Sequence, residues 1–400
     1  MRKSAEALNF LQAPIKNGMF VSSSNNRARG ILADSMAGVY ISYPFCGQKC
    51  TYCNFASGVF PRALETEYTD GLRREIEAHA WQWRPETIYI GGGTPSQMSA
   101  ETLARVLDAI PGRPWMEATI EAAPGTITPE LTAAWRHAGI NRVSLGVQSF
   151  VTAELARTGR KHRAETVAAD MRMLAAAGIE QVSVDLIAGL PAQTRASWRE
   201  SLEWLQLLNP PHVSIYMLEV DEDSRLGREL LLGGVRYGAQ DVPPEELIVE
   251  MYETGLEFLA SMGLTRYEIS NFARPGFESR HNLKYWRLEP YAGFGSDAHS
   301  YDGATRSQNV ETAAEYVERF RRGEPVRKET VAADRIQEHF FVGLRLSEGI
   351  QPEPEEWRRF EEPIRRFLKE GLLEMNGELL RLTRQGVLFS NEIFEEFVAA

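Results

Sequence analysis

Four hundred residues with 43% hydrophobic content can bury a large core and predict two domains. A net charge of −11 argues against a nucleic-acid binder, because phosphate contacts need clustered Lys and Arg. No apolar run is long enough for a transmembrane segment, and the N-terminus lacks the apolar stretch and cleavage site of a signal peptide, so a cytoplasmic location is expected.

Residues 1–37 show no clear period and read as an N-terminal extension. From Val39 the chain alternates strands and helices. Strands are expected at Val39–Tyr43, Thr87–Ile90, Glu117–Glu121, Arg142–Val147, Gln181–Ile187 and His212–Leu218. Helices are expected at Glu65–Ala80, Ala100–Ile110, a segment capped by Thr128 and ended by Gly139, Ala164–Ala177, Ala196–Leu208 and Pro244–Met262. Repeated β–α units mean a parallel sheet with its sites at the carboxyl ends of the strands. Periodicity does not separate a closed barrel from an open sheet.

The pattern changes beyond Gly303. Helical stretches at Thr312–Arg322, Ala333–Leu344 and Glu355–Glu370 precede a hairpin, Leu373–Leu382, turning at Asn376-Gly377. This reads as a small α+β winged-helix-like domain over 304–400. Its many acidic residues favour a lid or docking role over DNA binding.

Three cysteines, Cys46, Cys50 and Cys53, stand within eight positions as C-x3-C-x2-C. An odd count leaves one thiol over in any disulfide scheme. A structural zinc site wants four ligands, and no His lies near. Three thiolates can hold three corners of a [4Fe–4S] cube, leaving one iron open for another ligand.

With its flanks, from Tyr40 to Cys53, this loop resembles the radical S-adenosylmethionine (SAM) superfamily. There the open iron chelates SAM, and an electron from the cluster cleaves it to a radical. The resemblance implies a partial (β/α)6 barrel over 38–303, open at one side, followed by a HemN-type C-terminal domain. It also assigns a SAM site. Gly92, Gly93 and Thr94 match the motif that receives the SAM amino group. Glu121, Gln148 and Asp185 match positions that hydrogen-bond its amino or ribose groups. Arg160 matches a partner of its carboxylate, and Tyr40 and Tyr52 match positions that pack against it. Taken singly, each has a plainer reading: a turn, a cap, a surface charge or core packing. Asp185 is the hardest to dismiss, because a carboxylate inside an apolar strand is costly to bury unpartnered.

The flanks point to the family of oxygen-independent coproporphyrinogen III oxidase and the related HemW-type heme chaperones. The oxidases read C-x3-C-x2-C-x-C, whereas Phe55 stands here in place of the fourth cysteine, as in the chaperones. His281-Asn282-Leu283-Lys284-Tyr285-Trp286 matches the chaperones' H-N-x-x-Y-W motif. Ser42, Ala123 and Met217 depart from the family pattern, and none is a cluster ligand. The resemblance implies a carrier that binds the cluster, SAM and heme and passes heme to an acceptor protein. A flavodoxin or ferredoxin would donate the electron if SAM is cleaved. His281 is the sharpest candidate for an axial heme ligand, with Tyr285 and Trp286 stacking on the porphyrin and His299 as a second imidazole. The plainer reading makes His281 and Asn282 a hydrogen-bonded corner and Trp286 core. The alternative function is an enzyme of the same fold, a coproporphyrinogen oxidase (disfavoured by Phe55) or a SAM-dependent methyltransferase.

Overall fold

The computed structural model describes residues 36–399. The expected extension therefore lies outside the described residues, except for its last two, which open the first strand. Six strands, β1 (Met36–Tyr43), β2 (Arg84–Gly92), β3 (Glu117–Ala122), β4 (Arg142–Gln148), β5 (Gln181–Ala188) and β6 (His212–Met217), pair in sequence order, all parallel. Helices Arg62–Ala78, Ala100–Asp108, Pro129–Ala138, Ala164–Ala176 and Arg195–Leu208 connect them. The α/β architecture expected from the sequence is present, and the six-stranded wall is not closed on itself.

Local chemistry sets the helix ends. The Ser99 hydroxyl accepts from Thr102 N at 3.1 Å, and Thr128 Oγ1 from Leu131 N at 3.2 Å. Gly139 ends its helix at φ 96°, a left-handed conformation that a side chain disfavours.

Short strands extend the sheet at both edges. Beyond β6 lie β7 (Thr265–Arg266) and β8 (Asn271–Ala273), with β8 antiparallel to β6. Beyond β1 lie β9 (Tyr291–Phe294), β10 (His299–Tyr301), β11 (Thr305–Asn309) and β12 (Arg327–Ala332). β9 runs parallel to β1, with Tyr40 opposite Gly293. The domain division expected at 303 thus falls between two strands that pair with each other, and the sheet runs on to Ala332.

The C-terminal part follows. Helix Arg335–Phe341 leads to a 3-10 turn, Gly343–Arg345. The helix expected over 355–370 is two, Pro354–Arg359 and Glu361–Lys369, because Pro363 has no N–H to offer the Arg359 carbonyl. The hairpin β13 (Leu373–Asn376) and β14 (Leu379–Leu382) turns where expected, with Gly377 at φ 64°. Helices Arg384–Leu388 and Ser390–Ala399 close the chain. Bridges Glu268–Leu346 and Ile350–Leu380 tie this part together and to the sheet. Among the described residues no helix is long and apolar enough to cross a membrane.

Candidate functional site

Parallel strands covered on both faces are ordinarily apolar on both. Here only the outer face is. Ile88 and Ile90 of β2, Ile120 of β3, Val143 and Leu145 of β4, Val184 and Leu186 of β5, and Val213 and Ile215 of β6 are fully buried in the core. The alternate positions carry Tyr89, Thr119 and Glu121, Arg142 and Ser144, Ser183 and Asp185, and His212, Ser214 and Tyr216. All of these line a single cavity of about 760 Å³. The period of two along a strand makes this separation. A polar inner wall is costly to desolvate, so this interior suits a polar occupant.

The cysteine loop borders the cavity, with Cys46, Cys50, Tyr52 and Cys53 on its lining. Its base is gripped by the end of β2. Gly93 N donates to Tyr43 O at 2.7 Å and Thr94 N to Phe45 O at 2.9 Å. A Cβ on Gly93 would lie 2.6 Å from Phe45 O, so only glycine allows this approach. The far side of the loop is held by the excursion after β6. Leu226 N donates to Thr51 O at 2.8 Å, and Asn54 Nδ2 to Asp221 Oδ2 at 2.7 Å.

The remaining candidates for SAM binding, Tyr40 apart, converge on the same space. Gly92, Gly93, Thr94, Glu121, Gln148, Arg160 and Asp185 all line it. Glu121 accepts from Tyr89 OH at 2.9 Å and from Gly92 N at 3.2 Å. Burial, helped by the nearby Asp185 charge, pushes its pKa up to about 7. Gln148 sits in the left-handed region at φ 70°, at a register shift between β4 and β5. Arg160 Nη2 donates to Gly146 O at 2.7 Å, while its Nε is buried without a partner. Asp185 meets its desolvation with three hydroxyls: Ser144 at 2.8 Å, Ser183 at 3.0 Å and Ser214 at 2.8 Å. Burial still raises its pKa.

A second cavity, of about 310 Å³, adjoins the first and is lined by Tyr40, Tyr285, Trp286 and His299. Phe55, Tyr89, Tyr216 and Arg345 line both. Burial pushes the His299 imidazole down to about 4, and its Nε2 has no hydrogen-bond partner. His281 lines neither cavity. It is fully buried on helix Arg280–Trp286, with Nδ1 2.9 Å from Thr87 Oγ1 and Nε2 2.7 Å from Tyr285 OH. Both nitrogens that could face a metal are occupied, and the ring stacks on Tyr89 with centroids 5.4 Å apart. His281 is thus hydrogen-bonded away from both cavities, with Thr87 and Tyr285 as its partners rather than the Asn282 of the plainer reading.

Tyr89 and Arg345 were not among the sequence candidates. Alternation offered a signal for Tyr89, which shares a strand face with Thr87 between two core isoleucines. Arg345 comes from the 3-10 turn Gly343–Arg345, and no local pattern announces its approach to a barrel formed by residues far upstream.

Comparison with known proteins agrees with this geometry. The family profile "Radical SAM superfamily" matches residues 40–205, and "HemN C-terminal domain" matches residues 332–389. The chain is 34% identical to "Heme chaperone HemW" of Bacillus subtilis (strain 168), over 91% of this chain and 99% of that protein. It is 31% identical to "Heme chaperone HemW" of Escherichia coli (strain K12), over 90% and 98%. It is 33% identical to the bovine (Bos taurus) "Radical S-adenosyl methionine domain-containing protein 1, mitochondrial", over 88% and 81%. The solved structure of coproporphyrinogen III oxidase (HemN) from Escherichia coli superposes with a TM-score of 0.77 at 21% identity, over 91% of this chain and 90% of that one, which shows a shared fold. With an inner-faced polar barrel, a three-cysteine loop and this full-length similarity, the chain belongs to the HemW family of the radical SAM superfamily.

Proposed function

We propose that this chain is a cytoplasmic heme carrier that holds a [4Fe–4S] cluster on Cys46, Cys50 and Cys53, binds SAM beside it, and passes heme to an acceptor protein. The observation that carries the reading is the convergence of all three thiols with Gly92, Gly93, Thr94, Glu121, Gln148, Arg160 and Asp185 on one cavity.

The residues present fit these groups. When bound, the cluster and SAM supply one-electron chemistry. The chain's part is to hold and orient. Glu121, poised to about 7, ionises readily when an ammonium approaches it. Arg160 Nε is free for a ligand carboxylate while its Nη2 is fixed on Gly146 O. The Asp185 carboxylate, steadied by its three serines, can accept from ribose hydroxyls. Tyr52 flanks the site as a packing surface, and Tyr40 lies on the wall of the adjoining cavity. Heme is assigned to the adjoining cavity, against Tyr285 and Trp286 and facing His299. His281 positions Tyr285 there and is not a ligand.

Anaerobically reconstituted protein titrated with hemin tests this through Soret absorbance. Saturation near one heme per chain is expected. A linear, unsaturable response with the cluster intact would overturn the carrier reading in favour of a SAM-consuming enzyme.

A further inference from the structure

Arg345 stands apart from its neighbours. In the C-terminal part, Arg359 pairs with Asp334, Arg366 with Glu396, Arg381 with Glu374, and Arg384 with Glu253 and Glu257. Among the described residues Arg345 has no carboxylate at ion-pair distance, and its Nε is buried with no hydrogen-bond partner. Its guanidinium carbon instead rests 4.5 Å from the Trp286 ring centroid and 6.0 Å from that of Phe394. Two aromatic faces fix the plane of the fork without using its hydrogens.

The fork also lies at a meaningful place, on the lining of both cavities. Trp286 Nε1, a second donor, and His299 Nε2 are likewise buried without partners, and both residues line the smaller cavity. Unsatisfied donors cost free energy and call for an acceptor. Glu219 and Glu268 are close enough to feel the Arg345 charge, but burial pushes Glu219 up to about 7 and raises Glu268 as well.

We propose that Arg345 is the receptor for a ligand carboxylate at the junction of the two cavities. This rests on the heme reading, under which the carboxylate is a propionate of the iron porphyrin. The planar fork meets it in the two-bond geometry that Arg makes with carboxylates. The C-terminal part would then contribute directly to the cargo site of the barrel.

Hemin and hemin dimethyl ester differ at these carboxylates and separate the possibilities. Wild-type protein is expected to bind hemin at least ten-fold more tightly than the diester. Arg345→Gln should lose that preference by weakening hemin about ten-fold and leaving the diester unchanged, and Arg345→Lys should fall between. SAM affinity should be the same in all three. Equal wild-type affinity for the two porphyrins would overturn the assignment while leaving the heme reading intact. So would an equal loss for both ligands in Arg345→Gln, or a loss of SAM affinity instead. If Arg345→Gln does not fold, the wild-type and Arg345→Lys comparisons decide. Saturation of wild type by neither porphyrin would overturn the heme reading, and this assignment with it.

Discussion

Glu121 carries opposing demands at the scale of a single residue. It is desolvated against Tyr89 and Gly92, which favours its neutral form, and it faces a space where a cation is expected. Its folded pKa, about 7, lies above the ordinary 4.5. The folded state therefore holds a proton that the unfolded chain has released. The stability this gives is present below about pH 4.5 and is lost as pH rises through about 7. Glu121→Gln removes that dependence. The variant should gain on the ligand-free wild type by up to about 2 kcal/mol between pH 5 and pH 8, a figure reduced for partial solvent access. Parallel urea titrations at the two pH values read the difference, and a constant gap would exclude a perturbed Glu121. The two histidines should behave oppositely. His281→Ala strands Thr87 Oγ1 and Tyr285 OH and opens a cavity, so it should cost about 3 kcal/mol of stability. Its hemin affinity should fall less than in His299→Ala, because His281 bears on the porphyrin only through Tyr285. His299→Ala should weaken hemin binding about ten-fold with little change in melting temperature. Asp185 could be read from the sequence because its carboxylate interrupts an apolar strand. The bond from His281 to Thr87 could not, because Thr87 lies almost two hundred positions away and only the fold brings them together.

At the scale of elements, the contact between the end of β2 and the cysteine loop is the tightest joint of the site. A methyl on Gly93 would meet the backbone of Phe45 and Pro44 at 2.6 and 2.8 Å, and backbone cannot rotate away as a side chain can. Gly93→Ala should cost about 2–3 kcal/mol. Reconstitution should load about half the wild-type iron or less, measured by iron and sulfide assay. Wild-type loading in a stable Gly93→Ala protein would mean that the loop tolerates displacement. The long helices and β1–β6 were legible because their apolar periods run for many residues and Ser99, Thr128 and Gly139 mark their ends. The strands β7 to β12 were not. They are two to six residues long, and β12 reads Arg-Lys-Glu-Thr-Val-Ala, whose polarity carries no core signal. Pairing at a sheet edge makes such segments into strands, and an edge partner is invisible locally.

On the scale of the whole molecule, Glu75 joins early and late chain. It lies on helix Arg62–Ala78 and accepts from Gly295 N at 2.9 Å, Asn309 Nδ2 at 2.7 Å and Tyr316 OH at 2.6 Å. Glu75→Ala should cost about 3 kcal/mol, because three donors are left without their acceptor. Hydrogen exchange should show faster opening of β9–β12 and helix Ala313–Arg322 than of β3–β5. Uniform acceleration would mean that Glu75 stabilises the molecule without coupling those parts.

The parallel pairing of β1 with β9 bears on how the protein is made. Polypeptide leaves the ribosome at about 5–20 residues per second. Tyr40 must therefore wait on the order of tens of seconds before Gly293, its neighbour on one side, exists. During that interval the nascent sheet can assemble outward from β2 while the other flank of β1 stays bare. The loop bearing Cys46, Cys50 and Cys53 follows β1 directly in the chain, so the thiols are presented while the C-terminal part is still unsynthesised. The same delay leaves an unpaired strand edge open to other chains, and overexpression faster than assembly should favour aggregates joined through β1.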